Sequence, residues 1–425
     1  MTPWTLAIVA GSLLAYASVS RRLAGTVITS AMVFVGIGLL VGPRLLDALD
    51  APPTGHEVRV LAEATLTLVL FGDASRIDLR ALRQEYVVPA RLLGIGLPLT
   101  IVAGSVAAWA LFPGLTFVEA VVVGILLAPT DAALGQAVVT LPELPSRIRQ
   151  GLNVESGLND GICVPLLLIA LGAAETQADV TTQSHAVTIV GQAIGYGILG
   201  GVAAGLVGAA VVVLAGRRKL ISPSWLQITP VATAALAYGI ANPLGGSGFI
   251  AAFVGGMVFG GLRRRGEGED TFLLDQAGGL LDAVTFLLFG AVLLGPALGH
   301  LTWQVVLYAV LSLTVVRMLP VALAMWRTHA RPPTVAFLGW FGPRGLASIV
   351  FAVIVVEEAH LPHIGTILVV TYVTVGLSVL LHGLSAAPLA ARYARWYRSK
   401  PADRLPPMES VSAAPQRWRS MRSSS

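Results

Sequence analysis

The chain has 425 residues, 55% of them hydrophobic and only 12% charged, whereas soluble domains carry about 25% charged residues. With a mean hydropathy of +0.78, so much apolar surface cannot be hidden from water behind so few charges, which excludes a soluble globular protein and points to a bilayer. The single cysteine, Cys163, excludes an intramolecular disulfide and a cysteine-rich metal centre.

A membrane span needs ~20 mostly apolar residues. Thirteen are expected, at 3–20, 23–41, 58–74, 87–110, 116–140, 149–172, 185–215, 225–241, 245–262, 271–295, 303–326, 334–356 and 363–390. The first has no basic stretch before it and no small-residue cleavage signal, so it reads as a span and not as a removed leader. The seventh is long enough to conceal a bend, and the last long enough to include an interfacial turn. Residues 1–390 therefore read as one membrane domain. From residue 391 the sequence turns rich in Arg, Pro and Ser, the composition of a disordered or lipid-resting cytoplasmic tail. No nucleotide-binding domain is legible, which argues against an ATP-driven pump.

The basic residues alternate from side to side. Arg21 and Arg22 follow the first span, Arg76, Arg80, Arg83 and Arg91 the third, and Arg147 and Arg149 the fifth. Arg217, Arg218 and Lys219 follow the seventh, Arg263, Arg264 and Arg265 the ninth, Arg327 and Arg331 the eleventh. The opposite side holds Arg44 and Arg59. Lys and Arg accumulate on the cytoplasmic side, so the N-terminus is expected outside and the C-terminus in the cytoplasm, in a cell inner membrane. The pI of about 9.6 is thus mostly topology, and no nucleic-acid partner is expected. With eight more in the tail, Arg317 and Arg344 remain, both within apolar spans.

Two spans are interrupted at mid-depth by proline. The fifth reads Gly124-Ile-Leu-Leu-Ala-Pro129-Thr-Asp131, and the twelfth contains Gly342-Pro343-Arg344-Gly345. Proline removes a backbone donor and clashes with the preceding turn, and broken backbone is tolerated in a membrane only inside protein or beside a cavity. Each interrupted span is fifth in a set of six, spans one to six (about 1–172) and eight to thirteen (about 225–390). The two sets enter the membrane from opposite sides. Paired interruptions in inverted repeats point to a transporter's binding site. Asp131 at one break and Arg344 at the other are placed to balance the partial charges of the broken helix ends.

The sixth span carries Asn153-Val-Glu155-Ser156-Gly-Leu-Asn159-Asp160-Gly, with Asp160 near the bilayer centre. A charge at that depth costs at least ~2.5 kcal/mol and is usually functional. Glu155 and Asn159 share one helical face; Ser156 and Asp160 share the adjacent one. Glu155 is expected to pair with Arg344, leaving Asp160 free to titrate. Burial disfavours the charged form of a carboxylate, so Asp160 can hold a proton at one moment and a hard cation at the next. Oxygen ligands suit hard cations. Asp160, Ser156 and Thr130, with carbonyls freed near Pro129, make a candidate cage for Na+. The blander reading is a set of polar residues that glue helices together.

Three stretches, LAPTDAALGQAVV at 127–139, NVESGLNDG at 153–161 and GPRGLAS at 342–348, resemble the NhaP-type sodium/proton antiporters, whose wider family contains the animal sodium/proton exchangers. A fourth, GSGFIAAFVGGMVFG at 246–260, resembles the family's ninth helix. The resemblance implies an all-α antiporter fold of thirteen helices with two discontinuous crossing helices. It also implies a homodimer and exchange of Na+, or another monovalent cation, for H+ in pH homeostasis, with no cofactor. It makes Asp160 the shared cation/proton carboxylate and Asn159 the neighbour that orients it. Thr130, Asp131 and Ser156 would line the cation site, and Glu155 and Arg344 would form a buried ion pair. One carboxylate beside Asn, where electrogenic relatives have two aspartates, implies one-for-one electroneutral exchange. Two positions depart from the pattern. Asp73 is matched to a site acid of the third span with Glu63 as its rival, and Asp282 stands where relatives often carry Asn. Arg317 has two candidate roles, pairing with Asp282 or capping a carbonyl.

Other features carry less. Gly195-Tyr-Gly-Ile-Leu-Gly200 fits a dinucleotide pattern, but no strand precedes it; Gly197 and Gly201 fit close helix packing instead. His360 and His363, beside Glu357 and Glu358, read as a solvated loop in preference to a metal or pH-sensing site. Neither H-E-x-x-H nor G-x-S-x-G occurs, so an enzyme is not expected. A channel is the other alternative, although channel filters usually come from symmetric subunits around a pore.

Overall fold

In hydrocarbon every backbone N–H and C=O must be satisfied within its own segment. The apolar runs accordingly fold as helices, and all regular structure among the described residues is helical. The computed structural model describes residues 3–23, 26–48, 56–77, 86–131, 134, 141, 143–176, 183–263, 271–358 and 361–399. The helices are α1 (Pro3–Leu23), α2 (Ser30–Val41), α3 (His56–Ser75), α4 (Val87–Leu111), α5 (Phe117–Leu126), α6 (Ser146–Thr176) and α7 (Gln183–Ala210). There follow α8 (Pro223–Ala241), α9 (Gly248–Leu262), α10 (Phe272–Leu288), α11 (Trp303–Ala324), α12 (Pro332–Trp340), α13 (Leu346–Glu358) and α14 (Ile364–Arg398). Among the described residues, seven helices are long and apolar enough to cross a membrane, and four shorter apolar ones accompany them.

Small residues set the packing, as expected where lipid offers no hydrophobic drive for helices to associate. A Cβ on Gly197 would lie 2.9 Å from the Ser247 carbonyl oxygen, and one on Gly201 would lie 2.5 Å from that of Ala251. These two glycines let α7 lie against α9, in agreement with the close packing their spacing predicts. On the other side of α9, Gly256 meets the backbone of Phe71, and the rings of Phe71 and Phe259 stand 5.6 Å apart. Helix α3 lies antiparallel to α10. Thr65 meets Thr285 at 3.3 Å, a Cβ on Gly278 would touch Val69, and one on Gly72 would touch Leu274.

Both interrupted spans are broken where proline predicts. Helix α5 starts on a capping box between Thr116 and Glu119 and stops at Leu126, and the chain then runs without helix to Asp131. Of the expected remainder of that span, only Leu134 is among the described residues. Helices α12 and α13 are separated by the non-helical run Phe341–Gly345. The two non-helical runs touch, with the Asp131 N–H donating to the Pro343 carbonyl at 2.8 Å. That contact joins the C-terminal end of α5 to the N-terminal end of α13.

Two helices differ from expectation. Helix α11 is not continuous: it breaks at Thr314 (φ −113°, ψ −93°), one turn before Arg317. The last helix contains no interfacial turn and runs through Pro388 to Arg398, past the expected end of the membrane domain at 390. Aromatic contacts explain this extension: Tyr393 stacks on Phe337 at 4.3 Å and its hydroxyl meets that of Thr334 at 2.9 Å, tying the end of α14 to α12. The seventh span does contain an irregularity, a π-turn at Val211–Ala215.

Candidate functional site

Helix breaks leave carbonyls exposed at a C-terminal end and N–H groups exposed at an N-terminal end. Here a charged side chain from each break answers the other. The Asp131 carboxylate (Oδ2) accepts from the N–H of Leu346, the first residue of α13, at 3.0 Å. The Arg344 guanidinium (Nη1) donates to the carbonyls of Ala128 at 2.7 Å and Pro129 at 3.2 Å. The Ser348 hydroxyl donates to the Leu126 carbonyl at 2.6 Å. An acid thus sits on the positive end of one half-helix and a base on the negative end of the other, which is the favourable sense for both. Gly345 makes room for this arrangement, since a Cβ there would overlap the Asp131 carboxylate.

This geometry corrects one expectation and bears on another. Arg344 is not the ionic partner of Glu155. That role falls to Arg317, whose Nη1 and Nη2 lie 2.6 and 2.9 Å from the two carboxylate oxygens. Both side chains are 1% exposed. The physical reason is the break itself: carbonyls without helical donors hold Arg344, while the break at Thr314 presents Arg317 to α6. Arg344 stays within Coulombic reach of both members of the pair. Arg317 therefore neither pairs with Asp282 nor serves as the carbonyl cap. The carbonyls of Ala128 and Pro129, expected to be freed by the break, each accept from the Arg344 guanidinium. The other members of the candidate cage near Pro129 are side chains.

Those side chains are gathered on α6 and on the run after α5. Asn159 Nδ2 donates to the Thr130 hydroxyl at 2.6 Å, and the Thr130 and Ser156 hydroxyls lie 3.1 Å apart. Thr130 and Asn159 are buried, Ser156 is 9% exposed and Asp160 is 7% exposed. Within this group of side chains, two buried acceptors, Asp160 Oδ1 and Asn159 Oδ1, have no hydrogen-bond partner among the described residues. Buried polar atoms are normally satisfied, so this pair of oxygens stands out within the group. Cys163, on the same helix, is buried in the hydrophobic core.

Asp73 is half-buried on α3, and a Cβ on Gly157 would lie 3.5 Å from its Cβ. It therefore stands against the helix of Asp160, and its charge and that of Asp131 both reach Asp160. Glu63, the rival, instead accepts a 2.8 Å hydrogen bond from the Tyr238 hydroxyl of α8. Asp282, half-buried on α10, lies within Coulombic reach of Asp131 and Asp73. At the start of α14, His363 meets Glu119 through its backbone N–H at 2.8 Å and through Nδ1 at 3.0 Å. His363 is thus anchored to the start of α5 and is not simply solvated. His360 and the side chains of Glu357 and Glu358 lie outside the described residues, as do Arg80, Arg83, Arg264, Arg265 and the tail from residue 400.

Sequence reasoning missed a buried relay behind the second break. The Arg344 N–H donates to the Ser378 hydroxyl at 2.7 Å, and that hydroxyl lies 3.1 Å from His382 Nδ1. His382 Nε2 lies 3.0 Å from the Trp340 carbonyl at the end of α12. His382 Nδ1 also lies 3.1 Å from the Ser378 carbonyl, so the ring's three contacts depend on which nitrogen carries the proton. The only trace in the sequence is Ser378 and His382 four residues apart on one helical face.

The fold and this site together define a multi-pass membrane protein in which two helix breaks meet beside a buried cluster of acid, amide and hydroxyl groups. Residues 9–392 match the family described as "Sodium/hydrogen exchanger, transmembrane", and the chain belongs to that family. It is 27% identical over 387 residues to the K(+)/H(+) antiporter NhaP of Alkalimonas amylolytica, covering 86% of this chain and 62% of that protein. It is 30% identical over 356 residues to the Na(+)/H(+) antiporter NhaP of Pseudomonas aeruginosa, covering 78% and 81%. Its fold is that of the sodium proton antiporter MjNhaP1 from Methanocaldococcus jannaschii, with a TM-score of 0.75 over 92% of this chain and 98% of that one, at 19% identity. Against several relatives it is the shorter chain, spanning 62%, 44% and 34% of the length of three of them.

Proposed function

We propose that this chain is a secondary antiporter that exchanges Na+, or another monovalent cation, for H+ across a bilayer, with Asp160 occupied by each in turn. The observation that carries the reading is the pair of unpartnered buried oxygens, on Asp160 and Asn159, beside the hydroxyls of Thr130 and Ser156. All four groups offer oxygen, the ligand type that hard cations prefer. A carboxylate out of water resists standing alone as an anion, so it takes either a proton or a cation. That exclusivity couples the two fluxes. One carboxylate next to a neutral amide moves one positive charge each way, which makes the exchange electroneutral.

The two charge-capped breaks meet beside the site, which α6 carries and Thr130 joins. Such a site can be exposed to either side when the helix group that carries it moves as a body. Thirteen spans with the N-terminus outside and the C-terminus in the cytoplasm, a cell inner membrane and a homodimer complete the proposal. K+ is the alternative substrate, because the relatives include proteins named as antiporters of either ion. The test is dequenching of a pH dye in everted vesicles on addition of Na+, Li+ or K+. The reading predicts dequenching that saturates with at least one cation and is absent with Asp160→Asn. A non-saturating, proton-independent cation current would indicate a channel instead.

A further inference from the structure

At one end of the molecule, outside the cluster just described, three charged side chains form a triangle. Arg76, just past the end of α3, makes a close ion pair with Asp275 in the first turn of α10. The same guanidinium lies 3.7 Å from the carboxylate of Asp73, one turn back on α3. Asp73 in turn stands against Gly157 of α6 and within Coulombic reach of Asp160. Arg76, Asp275 and Asp73 are 49%, 37% and 32% exposed. The triangle is therefore partly exposed on one side and abuts α6 at Gly157 on the other.

The geometry is asymmetric. Arg76 is in direct contact with Asp275 but beyond hydrogen-bond distance from Asp73. Asp275 therefore holds the guanidinium partly away from Asp73. We propose that Arg76 is a tethered counter-ion of the cation's entry path: it competes with the incoming monovalent cation for Asp73, and Asp275 sets the strength of that competition by drawing Arg76 off. Arg76 and Asp275 are positioning residues, since neither touches the cluster at Asp160. The inference rests on the antiporter reading and deepens it, naming what tunes apparent cation affinity at this mouth.

The consequence is a pair of substitutions with opposite effects. Arg76→Gln removes the competitor and should lower the apparent KM for the cation about threefold, the scale of a half-exposed ion pair. Asp275→Ala frees Arg76 to close on Asp73 and should raise it by a similar factor. Arg76→Lys keeps the charge and should stay near wild type. The double variant Arg76→Gln/Asp275→Ala decides the mechanism. If Asp275 acts through Arg76, the double variant matches Arg76→Gln alone; if Asp275 acts only by its own charge, the two effects multiply, as for independent sites.

The experiment is cation-dependent proton flux in proteoliposomes of the full chain, with KM and maximal rate measured for wild type, the four variants and Asp160→Asn. Opposite KM shifts, unchanged maximal rates and a double variant equal to Arg76→Gln support the proposal. Shifts of the same sign, a multiplicative double variant, or loss of maximal rate without a KM change overturn it while leaving the antiporter reading intact. Wild-type liposomes without coupled flux overturn both.

Discussion

The buried pair of Glu155 and Arg317 offers a quantitative test of how the helix breaks assign charges. Both side chains are 1% exposed and joined by two contacts of 2.6 and 2.9 Å. Removing one partner leaves the other as an uncompensated buried charge, a loss of about 3–5 kcal/mol. Glu155→Leu and Arg317→Met should each lower the melting temperature of the purified protein by many degrees, as read by intrinsic fluorescence in detergent. The double variant buries two apolar side chains in place of two charges. Such replacements are often neutral or stabilising, so it should recover most of the loss. Arg344→Met should also destabilise, because the Ala128 and Pro129 carbonyls lose their donor. Glu155→Leu should not rescue it. If Glu155→Leu rescued Arg344→Met and failed to rescue Arg317→Met, Arg344 and not Arg317 would be the ionic partner of Glu155.

Other perturbations probe the site directly. Asp160→Asn keeps shape and polarity but cannot exchange a proton for a cation; flux should vanish while the melting temperature stays within a few degrees, and coupled flux retained by this variant would remove Asp160 from the mechanism. Thr130→Val deletes the hydroxyl that joins Asn159 and Ser156 and leaves a buried amide without its acceptor, a loss of about 1–3 kcal/mol; cation KM should rise about tenfold, and an unchanged KM would take Thr130 out of the cation site. Gly345→Ala drives a methyl group into the Asp131 carboxylate and displaces the cap on α13; overpacking of this kind costs about 1–3 kcal/mol, and a variant as stable and active as wild type would show that the contact between the breaks is not tight.

The two breaks could be read from Pro129 and Pro343 because proline acts locally: it removes an N–H wherever it stands. The balance of Asp131 against one helix end and Arg344 against the other was legible for the same reason, since broken ends carry predictable partial charges. The partner of Glu155 was not legible. Arg317 reaches it only because α11 breaks at Thr314, and neither Pro nor Gly marks that break. The binding of Arg344 to carbonyls instead of to Glu155 is a tertiary choice between two acceptors, each plausible from spacing alone. The Ser378–His382 relay was missed because it serves a break carried on another helix, more than thirty residues away along the chain. In α7 and α9, by contrast, the glycine spacing alone foretold the close approach that the structure contains.

The mechanism stands on one carboxylate serving two ions by turns, and the pH dependence of cation affinity puts that alternation to the proof. The measurement is the initial rate of cation uptake into proteoliposomes across a pH series, at several cation concentrations. Because protons and cations contend for Asp160, the apparent KM should climb as pH falls while the rate at saturating cation is preserved. An apparent KM that stays constant from acid to alkaline pH would contradict a shared site.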